Sequence, residues 1–496
     1  MTRARWLAAA LVAAAVLVPI PALADEAAPA TWPPTRPIDL QTAVATALGQ
    51  NDVVAAERVD VEIAAAEVSA AAGADDLVIE AAATGLTRDT EPVAGPFFQE
   101  TELDALSISA GVWKPLSTGG RVGLQLRDQV SRTVIRIETA PGMSTDIDTT
   151  IHGPRAELVY VQPLLAGRGR RAAHAERRAA AARRDAQGQE ARRAEAITVR
   201  DVTVTYWELA YAARAVAIHD SALALAREQL AITQARAEVG KASALEVQAV
   251  EQAIAARQAA RLAARQAEVE RALELRVLLA LEDGDPRALA AADALDAPVT
   301  APAAAGALER ALAHSPDLRA MDAHAAAAGV ELAFAAQATE PSLDLVVRGG
   351  PAGNADAASD AFAQLGQFDS FEASATLSFR MPLGNHAAEG RRDAARARAR
   401  RVQHGAEALR GELIAAVQRA LDGVELTAQR IDVAAQAARL ARANVALEQD
   451  RWAQGAGTNF DVMARQDQLT AAEAALARAH ADHRIAIANL AYLTGD

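Results

Sequence analysis

Gly240–Val247 reads GKASALEV, and Gly455–Val462 reads GAGTNFDV. Position for position the two stretches run Gly, any, small, hydroxyl, any, bulky apolar, acid, Val. Each lies where one long Ala-rich helical pattern stops and another starts, so each spells a turn between two helices. Working outward, further landmarks repeat. Tyr160–Leu164 (YVQPL) pairs with Phe379–Leu383 (FRMPL), and TALGQND from Thr46 pairs with RALAHSPD from Arg310. The offset drifts from 264 residues (Leu48 to Leu312) to 219 (Pro163 to Pro382) to 215 (Gly240 to Gly455), as a duplication with unequal loops requires. Repetition of this kind governs the fold reading: each half is one helix–strands–helix–turn–helix unit.

The helical patterns are long. Arg168 to about Val239 and Glu389 to about Gly455 are each a single stretch of roughly 65–70 residues, about 100 Å at 1.5 Å per residue. Val202, Tyr206, Leu209, Ala213, Val216, Asp220 and Leu223 keep a 4-3 spacing, as do Val424, Ala428, Ile431, Ala435 and Ala438. That is coiled-coil packing. Shorter helices follow Ile38, Ser243, Ala307 and Thr458, and two laid end to end match one long helix. The aromatic content of 3% and the abundance of Ala suit close-packed helices better than a globular core.

Strand signals separate the helices. In Phe371–Met381 eleven residues alternate, with Phe371, Ala373, Ala375, Leu377, Phe379 and Met381 apolar and the intervening residues polar. Leu343, Leu345 and Val347 alternate likewise, followed by what reads as a loop from Gly349 to Gln367. The first half offers four strand-like segments, 77–87, 106–114, 121–130 and 155–163. A strand of about 11 residues just crosses an outer-membrane hydrocarbon layer. A ribbon with one greasy and one polar face cannot leave bare edges in lipid, so several copies must share one closed barrel.

Residues 1–24 read as an export signal: a basic start (Arg3, Arg5), an apolar run from Trp6 to Val18, and a small-x-small cleavage site ending at Ala24. No Cys follows that site, so lipidation is not expected; cysteine is absent from the chain altogether, which removes disulfides and thiol chemistry. The expected organisation is 1–24 signal peptide, 25–37 Pro-rich lead-in, 38–282 first repeat, 283–306 linker and 307–496 second repeat. A net charge of −14 argues against nucleic acid as a partner.

With these residues in view, the chain resembles the TolC-type outer-membrane factor family. The resemblance rests on the paired openings, on Gln162–Ala172 (QPLLAGRGRRA) with its echo Met381–Arg392 (MPLGNHAAEGRR), on Tyr206–Leu209 (YWEL), on the two tip signatures, and on the ending Ala488–Gly495. It implies a mixed α+β membrane protein: a homotrimer with a long α-helical coiled-coil barrel in the periplasm and a trimer-shared transmembrane β-barrel of twelve strands, four per copy. It implies a passive exit duct of a tripartite efflux pump or type I secretion system, multidrug efflux included, working with a periplasmic adaptor and an inner-membrane transporter. Against four strands per copy, the turn Trp113–Gly120 is expected to be an elaboration near the rim or loops.

No catalytic residue, cofactor or metal is expected. The resemblance places an aperture acid at Asp461, with Glu246 as its counterpart in the first repeat and Arg465 one turn on, beyond Ala464; three such carboxylates around an axis would favour cations. The competing reading makes Asp461 a helix N-terminal acid. The exposed turns Gly240, Lys241, Ala242, Ser243 and Gly455, Ala456, Gly457, Thr458 are the expected adaptor-docking tips, the glycines supplying a left-handed turn and Ser243 and Thr458 the N-caps. Arginines after each strand region (Arg168, Arg170, Arg171, Arg177, Arg178; Arg391, Arg392, Arg396, Arg398) read either as a lipid-headgroup belt or as a solvated face. His480 and His483 lack a third ligand nearby in sequence and read as a solvated pair. Six of the eight phenylalanines (Phe97, Phe98, Phe362, Phe368, Phe371, Phe379) fall in strand or loop segments. The competing functions are a periplasmic coiled-coil adaptor or scaffold, which leaves the strands unexplained, and a secreted metalloenzyme built on the His pair.

Overall fold

The computed structural model describes residues 37–91, 98–140, 142–282 and 289–496. The signal and most of the lead-in, Phe97, and the start of the linker lie outside the described residues. In chain order the elements are α1 (Leu40–Gln50), α2 (Asp52–Ala72), β1 (Val78–Asp89), β2 (Phe98–Pro115), β3 (Arg121–Ala140), β4 (Met143–His152), β5 (Arg155–Pro163), α3 (Arg170–Ala173), α4 (Ala175–Glu238) and α5 (Ala244–Leu278). The second repeat follows with α6 (Ala307–His314), α7 (Pro316–Gln337), β6 (Ser342–Ala352), α8 (Ala358–Gln367), β7 (Ser370–Arg380), α9 (His386–Ala453) and α10 (Asn459–Thr494).

The two openings break their helices at equivalent places. Asn51 leaves helical geometry and its side chain accepts from the N–H groups of Val53 and Val54, capping α2. In the second repeat Ser315 breaks the helix and Pro316 starts α7, where its missing N–H costs nothing. At 64 and 68 residues, α4 and α9 are about 96 and 102 Å long. Packing places the helices in one ribbon: α2 and α5 along α4, then α7 and α10 between α4 and α9. The edges of the ribbon are therefore α2/α5 on one side and α9 on the other. Val202, Tyr206, Leu209, Val216 and Leu223 of the α4 heptad are buried, the row that knobs-into-holes packing requires.

The densest part of the helical region surrounds Tyr206. Its ring is fully buried beside Trp207, Ile38, Leu275 and Leu279. Its hydroxyl donates to Asp293 Oδ2 at 2.6 Å and receives the Asp293 N–H at 3.1 Å. Asp293 also accepts from Leu40 N–H, and Ile38 pairs with Ala291 as a short parallel bridge. The described part of the linker is thus laid against both the chain's entry and the middle of α4.

The sheet runs β1-β2-β3-β5-β6-β7, all antiparallel, with β4 pairing β3 beyond the end of β5. Since β4 and β5 lie along the same edge of β3, the ladder has six positions. Register sorts its two faces, because directly paired residues share a side. One row reads Ile79, Val112, Leu124, Leu158, Gly349, Ala373 from one edge to the other. The row beside it on the opposite face carries Glu80, Gly111, Gln125 and Glu157, with Gly350 and Glu372 across β6 and β7. Every residue of β1 and β7 is exposed in the single chain.

Three sequence expectations change. The resemblance implied four strands; the ladder has six positions because β2 and β3 are full members of it. The Trp113–Gly120 turn does not lie near the rim. Its backbone is pinned at the strand-to-helix junction, where Gly169 N–H donates to Thr118 O and Gln162 reaches Thr118 through both its amide atoms. Trp113 stacks under the Arg121 guanidinium and covers Gly123, where a side chain would run into the indole. Finally, the expected loop from Gly349 to Gln367 contains the end of β6 and then α8, with Ala361 buried.

Candidate functional site

Two helical turns, built alike, form the tip of the ribbon opposite the sheet. At each, a glycine takes positive φ after the long helix: Gly240 at +72° and Gly455 at +77°. The N–H of the next residue then reaches back five positions, Lys241 to Arg236 O and Ala456 to Arg451 O, both at 2.8 Å. This satisfies carbonyls the helix end leaves open. The following helix is capped by Ser243, accepting from Glu246 N–H, and by Thr458, accepting from Asp461 N–H. Gly457 packs over the last turn of α9, and a side chain there would press on Glu448 Oε1 and Trp452 N. Glu448 itself is buried beside Arg451.

The turns lie side by side. Arg236, near the end of α4, stacks over the Trp452 ring and donates to the carbonyls of Trp452 and Ala453. Just above, Gln229 and Thr233 of α4 hydrogen-bond the buried Asn459 that opens α10. Deeper still, the buried Arg257 of α5 ties Ala222 O of α4 to Gln466 and Asp467 of α10. One guanidinium thereby joins three helices from both repeats. Sequence reading missed Arg257, Asn459 and Gln229, since each looks like an ordinary polar residue on a long helix.

Asp461 is exposed and forms a reciprocal cap. Its Oδ2 accepts from Thr458 Oγ1 at 2.6 Å and from Thr458 N–H at 3.1 Å. The Thr458 hydroxyl, then its backbone N–H, hold the carboxyl below the usual carboxylate range. Glu246 is exposed in the first turn of α5, and Arg465 is exposed one turn along α10, bonded to Gln468. Among the described residues no hydrogen bond or ion pair joins Asp461 to Glu246. Gly240, Lys241 and Ala456 are exposed, while Ala242 and Gly457 are half-buried.

Elsewhere the arginines past each strand region are mostly exposed; Arg177 faces Asp75 at 3.8 Å, and Arg392 and Arg396 share Asp393. His483 Nδ1 sits 3.0 Å from Thr427 Oγ1, and burial lowers the pKa of both His480 and His483. No group of three or more His, Asp or Glu able to hold a metal ion occurs among the described residues. No described helix is long and apolar enough to cross a membrane. Phe98, Phe362, Phe368, Phe371 and Phe379 are all exposed.

Residues 307–496 match the family model described as outer membrane efflux protein. Among curated proteins nothing matches the chain. Several solved structures share its fold. A membrane protein from Pseudomonas aeruginosa is similar at a TM-score of 0.66 with 18% identity, over 93% of this chain and 91% of that one. The outer membrane protein VceC from Vibrio cholerae gives 0.65 with 15% identity, over 92% and 96%. The CmeC outer membrane channel of Campylobacter jejuni gives 0.63 with 13% identity, over 96% and 90%. The second repeat thus carries the match to the outer membrane efflux protein family, and nearly the full chain has the fold of the outer membrane channels it resembles.

Proposed function

We propose that the protein is a passive exit duct of the outer membrane, three copies of which enclose one channel that carries cargo from the periplasm to the exterior. The observation that carries this is a coincidence of edges. The sheet ends at β1 and β7, and the helical ribbon ends at α2/α5 and α9. Since β1 follows α2 and β7 precedes α9, both layers are open on the same two sides. On α9, Leu426, Val433, Leu440 and Leu447 stand exposed at intervals of seven. A heptad seam without a partner in its own chain is the half of a coiled coil, and the next copy supplies the other half. A soluble adaptor or scaffold would have no use for a sheet with one apolar and one polar face.

In this reading the helical barrel stands in the periplasm and the sheet in the outer membrane. The tips Gly240–Ser243 and Gly455–Thr458 meet a periplasmic adaptor that joins the duct to an inner-membrane transporter, as in a tripartite efflux pump; delivery by a type I secretion system would use the same tips. Asp461 lines the aperture, with Glu246 at the equivalent turn of the first repeat and Arg465 one turn further along α10. Mature protein begins after Ala24 without a lipid anchor. No chemical reaction is assigned. Fractionation tests the reading: heat-modifiable trimers in the outer membrane are expected, and a monomer soluble without detergent would overturn it.

A further inference from the structure

We propose that three copies close a barrel of eighteen strands, six per copy, in which the β2–β3 hairpin is lipid-facing wall. This rests on the trimeric reading above and adds to it the size of the wall and the neighbours of each strand.

The apolar face runs on across the hairpin. If β2 and β3 were folded away from the wall, their side chains would follow another pattern. Instead Val112, Ala110 and Ile108 on β2 pair with Ile79, Ala81 and Ala83 on β1, and Val112 and Ala110 pair on their other side with Leu124 and Leu126 on β3. Leu124 and Leu126 pair in turn with Leu158 and Ala156 on β5. Val112, Ile108, Leu124, Leu126 and Leu158 are all exposed in the single chain. A hydrocarbon surface of this width needs lipid, and it crosses the hairpin at the level of Val112 and Ala110 before Asp128, the partner of Ile108, closes it.

The belt also has ends. Toward the helices it stops at Lys114, whose Nζ donates to Asp75 O at 2.6 Å. Away from the helices it stops at Asp128 and His152, and then at Arg132, which faces Asp148, Asp104 and Glu102, and Arg136, which faces Asp146. On β2 the apolar stretch from Leu106 to Val112 lies between Asp104 and Lys114 and spans six residue steps, about 20 Å along the strand; on β3 it is Val122, Leu124 and Leu126, ending at Asp128. The charged ends fall on the hairpin itself, so β2 and β3 carry their own membrane boundaries.

Six antiparallel positions leave β1 and β7 running oppositely. A β7 can therefore pair with the β1 of the next copy without breaking the alternation, and the two edge strands have similar lengths, 12 and 11 residues. At a spacing near 4.8 Å and a tilt near 40°, eighteen strands enclose a backbone circle about 35 Å across, against about 24 Å for twelve. Twelve helix positions at about 9–10 Å spacing form a circle of similar width, about 35–38 Å. The wall then continues the helical cylinder without narrowing.

The absence of cysteine from the chain makes the test clean. Single nitroxide labels are placed by Leu124→Cys and by Gln125→Cys, neighbours on opposite faces of β3, in membrane-embedded protein. Leu124 is expected to collide preferentially with oxygen dissolved in lipid, and Gln125 with a water-soluble nickel chelate. In parallel, Ala81→Cys and Ala375→Cys in one chain are joined by a bifunctional maleimide about 10 Å long. Within a copy these strands lie five spacings apart, about 24 Å, so links should form between copies and give covalent trimers. Trimers in which the Leu124 label is water-accessible overturn the eighteen-strand wall and leave the duct standing. If no links form between copies in membrane-embedded protein, the wall and the trimeric duct both fall.

Discussion

Gly455 carries two duties that substitution can separate. Its φ of +77° costs any L side chain about 1–2 kcal/mol, yet no atom lies within 4 Å of where a Cβ would stand. Gly455→Val should therefore strain the tip without touching the packed helices. Export is expected to fail while heat-modifiable trimers persist; loss of the trimers would reduce the glycine to a structural part. Asp461 is a sharper case, because two influences on its carboxyl oppose each other. Thr458 lowers its pKa from the ordinary 3.8, whereas three carboxylates around one axis would raise it. A lowered pKa means that the cap is complete above 3.8 and is lost as pH falls through the folded value. Single-channel cation preference should be reduced by Asp461→Asn, and in the parent its pH midpoint reports which influence prevails. A midpoint below 3.8 places the three acids far apart, and one above it places them close. An Asn variant with unchanged preference removes Asp461 from the aperture. The left-handed glycines and their hydroxyl caps were legible in GKASALEV and GAGTNFDV, because such a turn is specified by neighbours in sequence. Arg257 was not, because its partner Asp467 stands 210 residues away and only packing brings them together.

Among the elements, β7 was the most legible, since its alternation is written in eleven consecutive residues with a different medium on each side. The upper halves of β2 and β3 were not seen. Above the apolar belt they exchange hydrocarbon for the Arg132 and Arg136 ion pairs, and alternation stops being a signal where both faces meet water. For the same reason β4 went unrecognised. α8 was hidden by brevity: ten residues rich in Ala and polar groups read as loop until β6 supplies a surface to pack on. The α9 seam was overlooked for a different reason. The sequence heptad of α9 was assigned from Val424, Ala428 and Ile431, and the exposed row through Leu426, Val433, Leu440 and Leu447 is a second seam, offset around the helix. Its function is tested by Leu440→Glu. Each interface would lose roughly 1.5–3 kcal/mol of apolar burial and gain a carboxylate with no partner. The temperature at which trimers separate in detergent should drop, with helix content unchanged by circular dichroism. Trimers as heat-resistant as the parent would show that the seam faces something other than the next copy.

Across the assembled chain, the duplication requires a connection of about 24 residues (283–306) to run back from the end of α5 to the start of α6 without disturbing the ring. The described part of this connection is held over a short stretch, from Ala290 to Ala297. Asp293 takes hydrogen bonds from Tyr206 and Leu40, and Arg484 of α10 donates to the carbonyls of Leu295 and Ala297 while stacking over Trp207. Burial, then the bond to Asp293, pushes the Tyr206 hydroxyl to a raised pKa, so it stays a neutral donor throughout the physiological range. Neither Tyr206 nor Asp293 was legible as a pair, although Tyr206–Leu209 marked a landmark and the linker was visible as a Pro- and Ala-rich stretch. The pair predicts a separable defect. Tyr206→Phe keeps the buried ring but leaves Asp293 short of one donor, a loss of about 1–3 kcal/mol for a buried polar group. Because α4, α7, α9 and α10 pack independently of this hydroxyl, the ring should survive and only the strap should loosen. Limited proteolysis of trimers is expected to cut the Phe variant between 283 and 306 several-fold faster than the parent, with the two repeats remaining associated until boiled. Equal cutting rates would mean that Arg484 and the Ile38 bridge hold the strap without the Tyr206 hydroxyl. Dissociation of the trimer on substitution would mean instead that the strap, and not the helix seams, supports the ring.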